Sequence, residues 1–255
     1  MNSRIRVRAW AFLFTLLALS ALGTKGQDFG TLSSTHFDVK FQNGVSNEEA
    51  RKVLDFLQKA HADLVTNLGL EMKTKLEVRI YQSPGKYIAE TGLSRPWRGA
   101  FFTKGVLHVQ PVAALMARRL FEKAITYELC IAFLEQAGRR GCPRWLIESF
   151  AAYYSGEAAG LSAPIGTHLS AFSDLNQDIQ EYPNPPQRDD VHYVLASTMT
   201  YFVEKFGEKR AFRIYREFNG ASTADKVFRR VLGADYSSIE KGWAKYIASR
   251  TGSFK

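Results

Sequence analysis

The fold of this chain is decided by residues 123–156, KAITYELCIAFLEQAGRRGCPRWLIESFAAYYSG. Apolar residues recur here with helical period, and glycines follow where each periodic stretch ends. The pattern predicts a long helix over 118–137 and a second helix over 143–156. Each helix carries a carboxylate among apolar side chains, Glu128 on the first and Glu148 on the second. Two helices that pack together, with an acid on each, are therefore predicted to form the central part of the fold.

The residues before this centre have the pattern of strands. Apolar and polar residues alternate over 36–41 and 76–80, and 100–110 has the Lys-Gly signal of a two-residue hairpin. A β-rich part, 27–111, is thus predicted to precede an α-helical part, 112–255. The predicted fold class is α+β, with an N-terminal mixed sheet and hairpin followed by a helical half.

Several helix signals support this division. Ser46 and Glu49 form a capping box at the start of an amphipathic stretch that stops near Gly69. In the C-terminal half, apolar periodicity and glycine stops predict four more helices, at about 190–206, 208–219, 222–232 and 236–250.

The N-terminus has the three parts of a secretory signal peptide. Three arginines precede an apolar run over 9–22, and small residues follow it. We expect residues 1–26 to be removed and the protein to be exported, to a periplasm or outside the cell. The alternative is an uncleaved anchor, although the run is short for a membrane span of about 20 residues. No other membrane association is expected.

The charge balance excludes one class of partner. The whole chain has a formal net charge of +9. Residues 1–26 contain four basic residues and no acid, so the remainder carries +5. This charge is spread over the sequence rather than clustered with nucleic-acid-reading elements, so nucleic acid is not an expected partner.

The second helix carries a motif that identifies a resemblance. The sequence PRWLIESFAAY resembles the P-R-W-L-x-E-G-x-A-x-Y segment of the peptidase MA-like, or gluzincin, superfamily. It matches at Pro143, Arg144, Trp145, Leu146, Glu148, Ala151 and Tyr153. The strands, the hairpin and the C-terminal helices also resemble those of smaller secreted members, in the same order. The resemblance implies a zincin-like fold with a zinc-peptidase centre between the two helices.

The residues of that centre depart from the family pattern. The family's H-E-x-x-H, whose two imidazoles bind zinc from one helix face, is Y-E-L-C-I here. The implied ligand positions are Tyr127, Ile131 and Glu148, and the implied general base is Glu128. A zinc site needs at least three N, S or O ligands, and isoleucine offers none. We expect a degenerate site with no metal or other cofactor, in which Glu128 is a vestigial base.

Two carboxylates at a helix interface need compensation. Both glutamates can instead lie on solvated faces; if they face each other, one is protonated or both accept hydrogen bonds. The candidate donors are the Tyr127 hydroxyl and Arg144. Arg144 and Tyr193, which begins a helix that passes near the family's active site, are the expected residues of a remaining cleft.

The only cysteines, Cys130 and Cys142, flank the junction between the two helices. In an exported protein they can form a disulfide that ties these helices together, and the alternative is two separate buried thiols. The sequence leaves both open. The five histidines are scattered without metal-ligand spacing, so they are predicted to be surface or hydrogen-bonded side chains.

These observations predict a non-catalytic, exported domain that binds a peptide or an envelope protein in a vestigial cleft. In active relatives an edge strand aligns the substrate by β-addition, and the hairpin over 101–109 is the matching segment. One alternative is an active metallopeptidase or hydrolase with a non-standard site that uses Glu128 and Glu148 as a carboxylate pair, and zinc is an expected cofactor only in that case. Another is a purely structural domain in which the cleft has filled.

Overall fold

The structure, a computed structural model, describes residues 29–93, 98–138, 141–156, 171–172, 174–176, 179 and 187–251. The predicted signal peptide lies outside these residues. A five-stranded mixed sheet in the N-terminal part is followed by a helical half, which confirms the predicted α+β order. In the described part of the chain, no helix is both long and apolar enough to cross a bilayer.

The sheet has the order β1-β2-β3-β5-β4. Its strands are β1 (Phe29–Ser33), β2 (Phe37–Gln42), β3 (Leu76–Ile80), β4 (Ala100–Thr103) and β5 (Val106–Val109). The three central strands, β2, β3 and β5, run parallel, and the two edge strands pair antiparallel to their neighbours. The outer edge of β4 lies beside α4 and pairs with no further strand among the described residues.

Helices make up most of the described part of the chain. They are α1 (Asn47–Leu68), α2 (Pro84–Thr91), α3 (Val112–Ala117), α4 (Phe121–Gln136), α5 (Arg144–Tyr154), α6 (Gln187–Phe206), α7 (Glu208–Glu217), α8 (Ala224–Leu232) and α9 (Tyr236–Thr251).

Local sequence signals explain several of these elements. The capping box at the start of α1 is confirmed, since the Ser46 hydroxyl accepts from the Glu49 N–H and the Glu49 carboxylate accepts from the Ser46 N–H. The hairpin is confirmed as well. Lys104 and Gly105 both have positive φ, 51° and 77°, as a tight two-residue connection requires.

Strand β1 was not predicted from the sequence. None of its residues is buried, so it lacks the alternation that marks a half-buried strand. Its Gly30 is required by close packing, because a Cβ there would lie 2.4 Å from the ring of Phe41 on β2. A glycine in a strand weakens the strand pattern and marks such a close approach.

Helix α4 is the centre of the molecule. It packs against α1 and the β4–β5 hairpin on one side and against α5 on the other. Every residue over 127–134 is buried, so this stretch is apolar on nearly all faces. The predicted long helix starts later than expected, because Arg119 adopts a left-handed φ of 55° that separates α3 from α4.

Candidate functional site

Helices α4 and α5 bring both carboxylates into the interior. Glu128 is 3% exposed and Glu148 is 2% exposed. The alternative in which both glutamates lie on solvated faces is therefore wrong. A buried carboxylate is costly unless donors satisfy it, so the partners of each glutamate determine what this centre can do.

The partners of Glu128 come from the segment that leads into the edge strand. Nη1 of Arg98 donates to Oε1 of Glu128 at 3.0 Å, and the backbone N–H of Phe102 donates to Oε2 at 3.0 Å. The Arg98 side chain is only 14% exposed and lies 5.2 Å from the centroid of the Phe101 ring. Glu128 thus links α4 to β4 through one buried ion pair and one backbone hydrogen bond.

The partners of Glu148 come from the two site helices. The Tyr127 hydroxyl on α4 donates to Oε2 of Glu148, and the Arg144 guanidinium on α5 donates to Oε1 at 2.8 Å from Nε. Both predicted donors are confirmed. Nη1 of Arg144 also pairs with Glu135 of α4 at 2.6 Å. Arg144 therefore bridges the two helices, and 40% of its side chain is exposed.

The charges around Arg144 keep it ionised. Partial burial acts to lower the pKa of Arg144, but the negative charge of Glu148 and their hydrogen bond outweigh that effect. The net result is a raised pKa. Arg144 therefore stays positively charged beside the Glu148 carboxyl group.

The space that remains at this centre is very small. Arg98, Tyr127 and Glu148 border a cavity of about 10 Å³, which is near the minimum for one water molecule. His192 of α6 closes one side, with its ring stacked on that of Tyr127 at 5.2 Å between centroids and 8° between planes. A substrate carbonyl and an attacking water do not fit together in this volume.

The residues at the implied metal positions do not fit a zinc ion. Ile131 is fully buried and has no ligand atom. The Tyr127 hydroxyl donates a hydrogen bond to Glu148, and Glu148 also accepts from Arg144. A zinc ion would have to displace the proton and the cation from the one carboxylate ligand. The donor set thus falls short of the three ligands that such a site requires.

The two expected cleft residues lie in different places. Arg144 is part of the Glu135–Glu148 bridge, whereas Tyr193 lines a larger cavity of about 300 Å³ between α5, α6 and α9. The side chains around this cavity combine aromatic rings with hydroxyls and one guanidinium, and they include Tyr153, Tyr193, Ser197, Thr200, Tyr246 and Arg250. The structure thus separates the carboxylate centre from the cavity that could admit a ligand.

The two cysteines are free thiols, so no disulfide ties the site helices. Cys130 is fully buried in the middle of α4. Cys142 borders a cavity with Leu134, one helical turn further along α4, and with Ile147. Burial raises the pKa of both thiols, so neither is an activated thiolate. The interface is held by the Tyr127–Glu148–Arg144 contacts instead.

Three participants were not predicted from the sequence. Arg98 and the Phe102 N–H reach Glu128 only because β4 packs on α4, and no local spacing signals that contact. His192 was expected to be an ordinary surface or hydrogen-bonded histidine, yet it is buried against Tyr127. Its position beside Tyr193, on a helix expected to pass the site, was the available signal.

Comparison of the sequence with protein-family models and with curated proteins finds no match.

Proposed function

We propose that this chain is an exported, non-catalytic domain with a peptidase MA-like, degenerate zinc centre, and that it binds a peptide or protein segment. The observation that carries this proposal is the complete pairing of the two carboxylates. Glu128 accepts from Arg98 and Phe102, and Glu148 accepts from Tyr127 and Arg144.

This pairing opposes hydrolysis for two reasons. A general base must lie within hydrogen-bond reach of the water that it deprotonates, and Glu128 is buried with both oxygens engaged. A carboxylate that binds a metal ion or acts as a general acid or base must be free to release its hydrogen-bond donors during the reaction. Glu148 instead holds two helices together through Arg144. The centre supports a structural role better than a chemical one.

The cavity at Tyr193 is the better place for a ligand. Its volume, about 300 Å³, is at the lower end for ligand pockets and suits one or two side chains of a peptide. Tyrosine rings supply apolar area, and Ser197 and Thr200 place hydroxyls within the same wall. A segment with an apolar side chain and hydrogen-bonding backbone matches this lining.

The edge of β4 is a poorer site than the sequence suggested. An added peptide strand needs the outward N–H and C=O groups of the edge strand. The Phe102 N–H is already bonded to Glu128 at 3.0 Å. Adding a strand at that position would leave a buried carboxylate with one donor fewer, which opposes binding.

Catalysis is tested with a peptidase assay on the mature protein and on Glu128→Gln. We expect no hydrolysis of a mixed fluorogenic peptide library by wild type, with or without added Zn²⁺, and no difference in the variant. Hydrolysis by wild type that falls at least a hundredfold in Glu128→Gln would overturn the proposal. It would favour the alternative, a hydrolase that uses Glu128 and Glu148.

Binding is tested separately with an immobilised peptide library. Thr200→Arg places a long side chain in the cavity, and we expect it to weaken the binding of the captured peptides at least tenfold. The control is Thr66→Arg on the exposed face of α1. If no peptide is captured, or if both variants bind alike, the cavity is not the binding site and the purely structural domain is favoured.

A further inference from the structure

Three potential metal ligands meet beside α1, at a place separate from the carboxylate centre. One nitrogen of His36, one nitrogen of His61 and one carboxylate oxygen of Glu71 lie within 4.8 Å of one another. His36 is in the turn before β2, His61 is on α1, and Glu71 is in the loop that follows α1. The fold thus brings together residues that have no ligand spacing in the sequence.

A second observation concerns the burial of His61. His61 is only 4% exposed, yet its Nε2 has no hydrogen-bond partner among the described residues. An imidazole buried without such a partner carries a desolvation cost that most native structures avoid. The unsatisfied nitrogen belongs to the same imidazole that supplies one ligand of the cluster.

The two histidines are held differently. The ring of His61 is fixed between aromatic rings, at 5.8 Å from that of Phe37 and 5.5 Å from that of Phe133. His36 is half-buried, and Glu71 is exposed. One ligand is therefore rigid and two lie toward solvent, which gives an ion a path of entry and leaves room for a bound water.

We propose that His36, His61 and Glu71 form a binding site for a divalent transition-metal ion of the zinc class. Two imidazoles and one carboxylate are a ligand set that zinc accepts, with water in the fourth position. Imidazole nitrogen suits zinc, copper, nickel and iron, whereas Ca²⁺ and Mg²⁺ prefer oxygen ligands. This site is independent of the proposed function and of the carboxylate centre.

Ion binding requires a small change at His36. The two imidazoles are stacked, with centroids 4.1 Å apart and planes inclined by 28°. A bound ion lies in the plane of each imidazole, at about 2.0–2.1 Å from its nitrogen. Nearly parallel rings do not share such a point, so the ring of His36 turns while that of His61 stays in place. Glu71, on an exposed loop, then closes onto the ion.

Titration calorimetry of the EDTA-dialysed mature protein with Zn²⁺ tests the site. We expect one ion per chain, no binding of Mg²⁺, and a Tm that rises by about 5 °C at a hundredfold excess over Kd. His36→Phe preserves a stacked ring but removes the ligand, and Glu71→Gln changes an exposed side chain. Each is expected to weaken binding at least tenfold and to abolish most of the Tm shift.

Glu208→Gln, on the exposed first turn of α7, is the matched control and should bind as wild type does.

His61→Phe tests the buried ligand, and its folding is checked by circular dichroism. Co²⁺ titration adds a spectroscopic readout, since tetrahedral coordination gives intense visible bands. Substoichiometric Zn²⁺ binding, or binding that is unchanged in both His36→Phe and Glu71→Gln, would overturn the proposal.

Discussion

Two polar clusters border helix α4, and they differ in how their buried atoms are paired. At the carboxylate centre, Glu128 and Glu148 each accept from two donors, and almost no space remains. At the histidine cluster, a nitrogen of the buried His61 has no hydrogen-bond partner among the described residues. Polar groups that are fully satisfied stabilise one arrangement, whereas an unsatisfied group is available to a ligand. The carboxylate centre is thus the closed one of the two.

The largest expected effect comes from breaking the pair at Glu128. Arg98→Ala should lower the free energy of unfolding by about 3–5 kcal/mol, because it leaves a buried carboxylate without its cation. Adding Glu128→Gln to this variant should restore part of the loss, since the neutral amide tolerates burial better. Urea unfolding of the single and double variants measures both.

The control is Arg213→Ala, which removes an exposed i,i+4 pair with Glu217. Such a pair contributes about 0–1 kcal/mol. If Arg98→Ala costs no more than Arg213→Ala, the carboxylate centre is not the closed, charge-paired site described above.

His108 is a buried histidine that has a hydrogen-bond partner, whereas Nε2 of His61 has none among the described residues. His108 of β5 contacts the Tyr81 hydroxyl through Nδ1 at 2.7 Å. Burial, with the nearby charge of Arg79, lowers the pKa of His108 from 6.5 to about 4. The unfolded chain therefore binds the proton more readily than the folded one does. Stability from this group is complete above pH 6.5 and is lost as pH falls toward 4, by up to about 3 kcal/mol.

The free energy of unfolding of wild type and of His108→Gln, measured between pH 7 and pH 4, tests this sign. The difference between the two should change by an amount of that order, with wild type losing more stability at low pH. Parallel profiles would contradict the expectation and would show that His108 stays accessible to protons in the folded protein.

The smallest of the three effects is expected at Tyr127. Tyr127→Phe removes one donor to Glu148 and should cost about 1–3 kcal/mol. Tyr154→Phe is the matched control, because its hydroxyl only accepts from Asn67 in an exposed contact. Chemical denaturation of the two variants gives the comparison. Equal losses would mean that the hydrogen bond to Glu148 contributes no more than a surface contact.

The helix pair and its internal donors could be predicted from the sequence because they rest on local patterns. Arg144 and Glu148 are four positions apart on one helix, where side chains meet. Tyr127 precedes Glu128 on a helix that had to pack against the next one. The capping box and the hairpin are equally local.

The contacts that required tertiary structure were missed for a physical reason. Arg98 lies 30 positions before Glu128, and they meet only after β4 has packed on α4. His36, His61 and Glu71 come from three elements whose arrangement depends on how α1 crosses the sheet. No periodicity or spacing encodes such a meeting, so the histidines looked scattered in the sequence.

The hydrogen bond from the Phe102 N–H to Glu128 also bears on solubility. Strand β4 is an edge of the sheet, and an unpaired edge is a template on which another chain can add. A side-chain carboxylate from α4 occupies the outward donor in the middle of this short strand. A second molecule could pair there only by taking the Phe102 N–H away from Glu128, which would leave a buried carboxylate with one donor fewer. Glu128 therefore also opposes the addition of a second chain along the β4 edge.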